Sequence, residues 1–301
     1  MKPTSKHLVL GTMGLGGSWD TPSYVKDDID TAHVALAHAQ SLGIDLIDTA
    51  DIYRRGASEA VIGEVFSRDE DLAQHFKVQT KCSILLPDEQ HAHTRYNSSG
   101  DYVREAIEKS ADKLGRAPEI MLLHRADPLM DVRDTGFAIK AALDAGTIGD
   151  WGVSNFSAWQ IERLADHVGS YPVVNQLELS LRARGFVEAA MNVAFESRPG
   201  SHYTPGTVEY CHDHGIQVQA WSPLAGGALA DSRKLSDIAA IHGTTPAVIA
   251  LWWLTCQGIV PVVGTTNPAH IDALAQAMQA PRLSREQWYE LLSESRGMDC
   301  P

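Results

Sequence analysis

Eight short runs of β-branched and other apolar residues, each followed by a stretch with helical periodicity, constrain the fold of this chain more than any other feature. The runs are HLVLGTM (7–13), IDLIDTA (44–50), KVQTKCS (77–83), IMLLHRA (120–126), IGDWGVSN (148–155), VVNQLELS (173–180), IQVQAWSP (216–223) and IVPVVGTT (259–266). Strands that alternate regularly with helices are typical of a parallel α/β sheet. Eight such units in 301 residues predict one domain, a (β/α)8 TIM barrel spanning residues 1–301.

The segments between these runs have the spacing of amphipathic helices. In YVREAIEKSADKLG, apolar side chains recur at helical intervals until Gly115 supplies a stop. SAWQIERLADHVG opens with Ser157 as an N-cap and closes on Gly169. One connection is longer than the others, from residue 182 to residue 207. In a barrel, we expect a loop of that length to lie over the catalytic face and to shape the pocket.

A doubly wound nucleotide-binding fold is the alternative for a chain with this alternation. Its best support is GTMGLGG (11–17), a glycine-rich stretch after the first strand. The spacing is not G-x-G-x-x-G, and the residues that follow, TPSYVKDD, predict a loop before any helix begins. The stretch is therefore interpreted as a turn at the barrel mouth.

Charge and cysteine usage narrow the classes of partner. The net charge is −13, from 25 Lys and Arg against 38 Asp and Glu, and no run of basic residues exceeds two. This excludes a basic nucleic-acid-binding surface, although an anionic small molecule needs only a local positive potential. The four cysteines form no C-x-x-C pair, which is typical of reduced thiols in a cytoplasmic protein. The apolar run AVIALWWL (247–254) is too short to span a membrane.

Four polar side chains occur at or just after the ends of three consecutive predicted strands. They are Asp48, Tyr53, Lys81 and His124. Each one alone has an ordinary structural explanation, but the carboxyl ends of barrel strands surround the active site, and together the four form an apparatus for protonating an oxygen. An ammonium beside a phenol lowers the phenol pKa, a carboxylate holds the ammonium, and an imidazole can bind a carbonyl. The hydride that such a reduction needs implies a nicotinamide cofactor.

Seven motifs in order carry a resemblance to the aldo-keto reductase superfamily over roughly residues 7 to 280. They are IDLIDTADIYRRGASEAVIG, VQTKCS, IMLLHRADPLMD, IGDWGVSNFSAWQIERL, VVNQLELS, QAWSPLAGG and PVVGTTNPAHI. The resemblance implies a barrel that binds NAD(P)H across its mouth and reduces an aldehyde or ketone to an alcohol. It also implies that Tyr53 is the general acid, that Lys81 and Asp48 tune it, and that His124 orients the carbonyl.

The same resemblance assigns cofactor contacts residue by residue. Ser154, Asn155 and Gln176 match positions that bind the nicotinamide carboxamide, and Trp221 matches the aromatic residue that stacks on the ring. The positions implied at the phosphate and adenosine end are Ser222, Leu224, Gly226, Gly264, Thr265, Thr266 and His270. Trp19 matches an aromatic residue that lines the substrate pocket.

The last motif departs from the family pattern. Many members carry Lys, Ser and Arg at the ribose 2′-phosphate, whereas this chain has GTTNPAHIDAL, with His270 in place of the Arg and no Lys or Arg between Ile259 and Arg282. Threonine hydroxyls and helix amides can still bind phosphate. The resemblance favours NADPH, and these residues alone also permit NADH.

Two other functions fit parts of the sequence. A regulatory or binding protein that senses the cofactor could use the same barrel. A metal-assisted hydrolase would need converging ligands, and the candidates HAH (91–93) and CHDH (211–214) lie on a predicted loop and a predicted helix, so we expect no metal site. The short stretch after the last barrel helix predicts an open pocket for bulky or varied carbonyl compounds.

Overall fold

The computed structural model describes residues 8–192, 203–229, 231–279 and 282–300. Every strand run expected from the sequence contains one barrel strand, which is shorter than the run by one to four residues. The strands, in chain order, are β1 Val9–Gly11, β2 Leu46–Asp48, β3 Lys77–Cys82, β4 Ile84–Leu85, β5 Arg95–Tyr96, β6 Ile120–Leu123, β7 Asp150–Ser154, β8 Val174–Glu178, β9 Gln217–Trp221 and β10 Val260–Gly264.

Helices separate the barrel strands along the chain. They are α1 Lys26–Ser41, α2 Ala57–Arg68, α3 Glu70–His75, α4 Gly100–Leu114, α5 Val132–Ala145, α6 Ala158–Val168, α7 Gly185–Met191, α8 Thr207–Asp213, α9 Arg233–His242, α10 Pro246–Thr255, α11 Pro268–Ala275 and α12 Arg285–Arg296. Ser157 caps α6 through its hydroxyl, which accepts from the Gln160 amide, and Gly115 and Gly169 end their helices with left-handed φ, as the sequence predicted.

The eight longer strands close into one parallel barrel. Their order around it is β1, β10, β9, β8, β7, β6, β3 and β2, so the first and last strands of the chain lie side by side. β1 pairs with β2 through Leu10 and Ile47, and with β10 through Val9 and Val262. The (β/α)8 barrel expected from the alternation is confirmed.

The apolar core has an outer and an inner part. The outer cluster fills the layer between strands and helices, and it includes Leu10, Ile47, Val78 and Trp151. Alternate residues of the same strands point inward, where Val9, Leu46, Val260 and Val262 form one small cluster and Ile120, Leu122 and Val174 another. Glutamines lie in the same interior and are described with the site below.

The connection from residue 182 to residue 207 is only partly described. Its first part contains α7, and Arg184, the residue before this helix, forms an ion pair with Glu188. Residues 193–202, the centre of the expected loop, lie outside the described residues. Its place over the catalytic face therefore stays a prediction.

In the part of the chain that the structure describes, no single helix is long and apolar enough to cross a membrane. The bent pair formed by α9 and α10 reaches the required length and composition only when both helices are taken together, with an angle of 87° between them.

Candidate active site

A cavity of about 740 Å³ opens at the carboxyl ends of the barrel strands. Its lining includes the last residue of five strands. Most of the site residues expected from the sequence meet there: Trp19, Asp48, Tyr53, His124, Ser154, Asn155, Gln176, Trp221, Ser222, Leu224, Gly226, Gly264, Thr265 and His270. Lys81 lies beneath the lining and is 1% exposed, and Thr266 lies beside Gly14 rather than in the lining.

Lys81 joins two of the expected catalytic side chains. Its Nζ donates to Asp48 Oδ2 at 2.6 Å, to the Thr49 carbonyl at 2.8 Å and to the Tyr53 hydroxyl at 3.1 Å. Three acceptors use all the donors of an ammonium group, which fixes its position. The Asp48–Lys81 ion pair is almost completely buried, so solvent screens it little.

Burial raises the pKa of Tyr53, and the charge of Lys81 opposes this increase without cancelling it. The net lowering of this pKa that the sequence suggested is therefore wrong, because desolvation of the phenolate outweighs the ammonium. For Lys81, burial lowers the pKa, but Asp48 and Tyr53 raise it more, so the net pKa is raised. The arrangement holds a neutral phenol against a charged ammonium at neutral pH.

His124 lies beside Tyr53, with the ring centroids 6.1 Å apart in an edge-to-face arrangement. Burial lowers the pKa of His124 well below its usual range, and the charges of Lys81 and Arg125 lower it further. Its buried Nδ1 has no hydrogen-bond partner in the described part of the chain. A neutral imidazole can carry its one proton on Nε2, which makes it a donor for a carbonyl oxygen.

Two buried glutamines, which the sequence did not connect to Asp48, bond its carboxylate, and a third glutamine bonds those two. Gln79 and Gln176 both donate to Asp48 Oδ1, at 2.6 and 2.9 Å. Gln219 Oε1 accepts from the same two side-chain amides, and Gln219 Nε2 donates to the side-chain Oε1 of Gln79. All three glutamines are at most 2% exposed. This glutamine network (Gln79, Gln176 and Gln219) crosses the barrel interior and, together with Lys81, fixes the orientation of the Asp48 carboxylate.

Asn155 holds the neighbouring aromatic and polar groups in place. It has a left-handed φ of 62°, and its Oδ1 accepts from the indole of Trp221 at 3.0 Å. Its Nδ2 donates to Ser154 Oγ and to the His124 carbonyl. The side chain of Asn155 is therefore fully used by the protein, whereas Gln176 Oε1 has no partner among the described residues and lines the cavity.

The turn after Tyr53 holds the loop at the rim of the cavity. Arg54 and Arg55 have left-handed φ values of 50° and 56°, a conformation that costs a non-glycine residue about 1–2 kcal/mol. Their Nε atoms donate to the carbonyls of Met13 and Trp19, at 3.1 and 3.0 Å. These bonds offset part of the strain, and they hold the indole of Trp19 at the cavity mouth.

The opposite wall is made of backbone and small side chains. Ser222 and Ala225 have left-handed φ values of 55° and 50°, and Gly226 has one of 63° with open space where a Cβ would be. Across the mouth, the His270 ring lies 3.5 Å from the Thr265 hydroxyl, near the start of α11. A wall of backbone amides and hydroxyls with little side-chain bulk suits a phosphate-bearing cofactor.

A period-two pattern of polar residues could have revealed the glutamine network. Gln79 precedes Lys81 by two residues in β3, and Gln219 precedes Trp221 by two in β9. Residues two apart share one face of a strand, so these glutamines had to point to the same interior as the site. Among the described residues, no three His, Cys, Asp or Glu side chains lie where they could hold one metal ion.

Comparisons with known proteins show the family of the chain and the fold of one solved relative. The model of the aldo/keto reductase family matches residues 7–293. Two curated relatives, both named 6-dehydroglucose reductase, are 30% identical. The one from Agrobacterium fabrum aligns over 97% of this chain and 95% of the relative, and the one from Novosphingobium aromaticivorans over 95% and 92%.

A solved aldo/keto reductase of Klebsiella pneumoniae, in complex with NADP and acetate, has the same fold. The TM-score is 0.75 at 22% identity, and the match covers 99% of this chain and 97% of that structure. The resemblance that seven motifs indicated is therefore confirmed, and the chain belongs to the aldo/keto reductase family.

Proposed function

We propose that this protein reduces an aldehyde or ketone with a nicotinamide cofactor and that Tyr53 is the general acid. One observation carries the proposal: the buried ammonium of Lys81 bonds both Asp48 and the hydroxyl of Tyr53 at the floor of a large cavity. Packing does not require a buried lysine under a phenol. The arrangement serves a reaction in which the phenol loses its proton.

NADPH, when bound, supplies the hydride that the carbonyl carbon receives. Tyr53 gives its proton to the carbonyl oxygen as negative charge develops there. The phenolate that remains is stabilised by Lys81, 3.1 Å away, and Asp48 keeps Lys81 charged and oriented. Because Tyr53 has a raised pKa, the enzyme holds the proton until the oxygen becomes basic enough to take it.

His124 binds the carbonyl oxygen and orients it toward Tyr53. Its lowered pKa keeps the imidazole neutral, so it donates a hydrogen bond without competing as an acid. The Asn155 side chain holds the His124 carbonyl and the Trp221 indole at once, and it thereby fixes the distance between the carbonyl-binding residue and the proposed nicotinamide platform.

The cavity wall supports a nicotinamide dinucleotide as the cofactor. Trp221 offers an aromatic face, and Gln176 Oε1 offers an acceptor to the carboxamide. Ser222, Gly226 and Thr265 offer hydroxyl and backbone groups to the phosphates. NADPH is favoured by the Klebsiella relative with bound NADP, although His270 replaces the arginine expected near the 2′-phosphate.

Consumption of reduced cofactor tests the proposal. Wild type, Tyr53→Phe and Tyr102→Phe would be assayed with NADPH and NADH against a panel of small aldehydes and ketones. Tyr102→Phe is the matched control, because it also removes a hydroxyl that is hydrogen-bonded within the protein, to Asp51, but lies outside the cavity lining. We expect Tyr53→Phe to lower kcat by about 10²- to 10⁴-fold, the usual range for loss of a general acid.

Cofactor affinity separates the possible failures. Tyr53→Phe with normal NADPH affinity and lost turnover supports the proposal. Turnover that survives in Tyr53→Phe at the level of Tyr102→Phe would contradict the role of Tyr53. Binding of NADPH without turnover of any carbonyl compound would instead favour a protein that senses the cofactor.

A further inference from the structure

The cavity has one full charge that forms no ion pair with any of the described residues. Among the Asp, Glu, Lys and Arg side chains of the described residues, only Asp48 and Arg125 line it. Asp48 is paired with Lys81 at 2.6 Å. The mechanism above therefore leaves one positive charge, that of Arg125, in a cavity otherwise lined largely by uncharged groups, within a chain whose net charge is −13.

The backbone places Arg125 next to the reacting groups. It follows His124 directly, and its amide and carbonyl both bond the Ser83 hydroxyl, each at 3.3 Å. In the described part of the chain, no carboxylate, carbonyl or hydroxyl accepts a hydrogen bond from its guanidinium. The guanidinium lies over the face of Trp221, 5.8 Å from the ring centroid. The five guanidinium donors thus remain available to a ligand.

A guanidinium half-buried in a cavity binds a planar or tetrahedral oxyanion through two parallel hydrogen bonds. From this geometry we infer that the substrate carries a carboxylate or phosphate group as well as its carbonyl, and that Arg125 binds this group. The inference rests on the proposed function, since it names the substrate class for the same cavity. It makes Arg125 a specificity-determining residue, while Tyr53 and His124 act on the carbonyl.

The position of Arg125 favours the substrate over the cofactor as the source of the anion. The loops proposed to hold the cofactor phosphates follow β9 and β10. Arg125 follows β6, which is separated from β9 by β7 and β8 in the barrel order. Its guanidinium reaches across to Trp221, the proposed platform for the nicotinamide, which is the end of the cofactor that meets the carbonyl. Arg125 lies directly beside His124, the residue that faces the carbonyl. An anion bound here lies on the substrate side of the cavity.

Two matched substrate pairs test the inference: 4-carboxybenzaldehyde against methyl 4-formylbenzoate, and glyceraldehyde 3-phosphate against glyceraldehyde. The measured quantity is the anion preference, the ratio of kcat/KM for the charged member to that for the neutral member. It would be determined for wild type, Arg125→Gln, Arg125→Lys and Arg133→Gln. Arg133 is the matched control, because its guanidinium also lies over an aromatic ring, that of Phe137 at 5.5 Å, but outside the cavity lining.

We expect Arg125→Gln to lower the anion preference about 10- to 100-fold, the value of a charge-assisted hydrogen-bonded pair, mainly through KM. Arg125→Lys retains the charge but cannot form two parallel hydrogen bonds, so its anion preference falls between those of wild type and Arg125→Gln. Arg133→Gln keeps the wild-type ratio. The substrate pair that shows the larger effect tells whether the cavity prefers carboxylate or phosphate. A ratio that Arg125→Gln leaves unchanged in both pairs overturns the inference.

Binding measurements separate this inference from the proposed function. The alcohol 4-(hydroxymethyl)benzoate and its methyl ester would be titrated against the protein with NADP present, followed by tryptophan fluorescence. Tighter binding of the acid that is lost in Arg125→Gln supports the anion site even if no carbonyl compound turns over. If neutral aldehydes turn over and the protein shows no preference for the acid, the proposed reductase function stands and the inferred anion site is overturned. A higher Kd for NADPH in Arg125→Gln, with an unchanged anion preference, would show that the guanidinium binds the cofactor. That result would also overturn the inference.

Discussion

Replacing Lys81 by methionine removes one charge from the most deeply buried ion pair of the site. The side chains of Lys81 and Asp48 are 1% and 3% exposed, and their charged atoms are 2.6 Å apart. Methionine has nearly the same length, so the change leaves little empty space. It leaves the carboxylate of Asp48 in the barrel interior with only the amides of Gln79 and Gln176 as donors.

The size of the effect follows from the desolvation of that carboxylate. Removing one partner of a buried pair typically costs about 3–5 kcal/mol, because the remaining charge stays uncompensated. Because two amide donors still stabilise the Asp48 carboxylate, we expect the free energy of unfolding to fall by an amount near the lower end of this range, about 3 kcal/mol. The double variant Lys81→Met with Asp48→Asn has no unpaired charge. We expect its loss of stability to be smaller than the sum of the losses of the two single variants.

Urea denaturation of wild type, both single variants and the double variant completes the cycle. We expect a coupling free energy of about 2 kcal/mol or more between the two positions. Circular dichroism would confirm that each variant is folded before urea is added. If the single variant Lys81→Met is destabilised by less than about 1 kcal/mol, or if the two changes simply add, the pair does not stabilise the barrel and the reasoning is refuted.

Two further predictions concern buried groups around the site. Burial and the Glu59 carboxylate raise the pKa of Asp51 to about 7. Because this exceeds its unfolded value of about 3.9, the free energy of unfolding should fall, by up to about 4 kcal/mol, as the pH rises from 4 to 7, and Asp51→Asn should remove that slope in urea titrations at several pH values. Gln79→Leu should lower the free energy of unfolding by about 2–4 kcal/mol, since Asp48 loses one amide donor and Gln219 loses one donor and one acceptor. Gln74→Leu on the surface should change it by less than about 0.5 kcal/mol. A steep pH slope in Asp51→Asn, or equal effects of the two glutamine changes, would contradict these expectations.

Much of the fold could be predicted from the sequence because a barrel strand has a local signature. Apolar β-branched runs bounded by polar residues marked all eight strands, and the rule that strand ends face the site brought Asp48, Lys81 and His124 together. Tyr53 could be placed near the end of β2 by the same rule, but its exact position could not, because it lies beyond the strand in a turn whose backbone is left-handed at Arg54 and Arg55. Nothing in an arginine pair predicts that conformation, since glycine is the residue that favours it.

Groups whose environment depends on the assembled barrel could not be predicted in the same way. Arg125 follows a strand as many surface arginines do, and only the closed cavity shows that its guanidinium lacks an acceptor among the described residues. The pKa of Tyr53 depends on how far burial outweighs Lys81, and the sequence gives the charges but not the burial. Asp51 has the same dependence, because its pKa is set chiefly by desolvation.

The glutamine network also bears on how the barrel is completed during folding. Asp48 and Gln79 lie on β2 and β3, whereas Gln176 and Gln219 lie on β8 and β9, more than 90 residues later in the chain. A chain folded only as far as β7 has Asp48 and Gln79 in place without their partners across the interior, and buried polar groups without partners are costly. The hydrogen bonds that complete the network form only when the second half of the sheet arrives. We therefore expect the side chains that hold the Asp48 carboxylate to disfavour a partly formed barrel and to favour cooperative closure of the sheet.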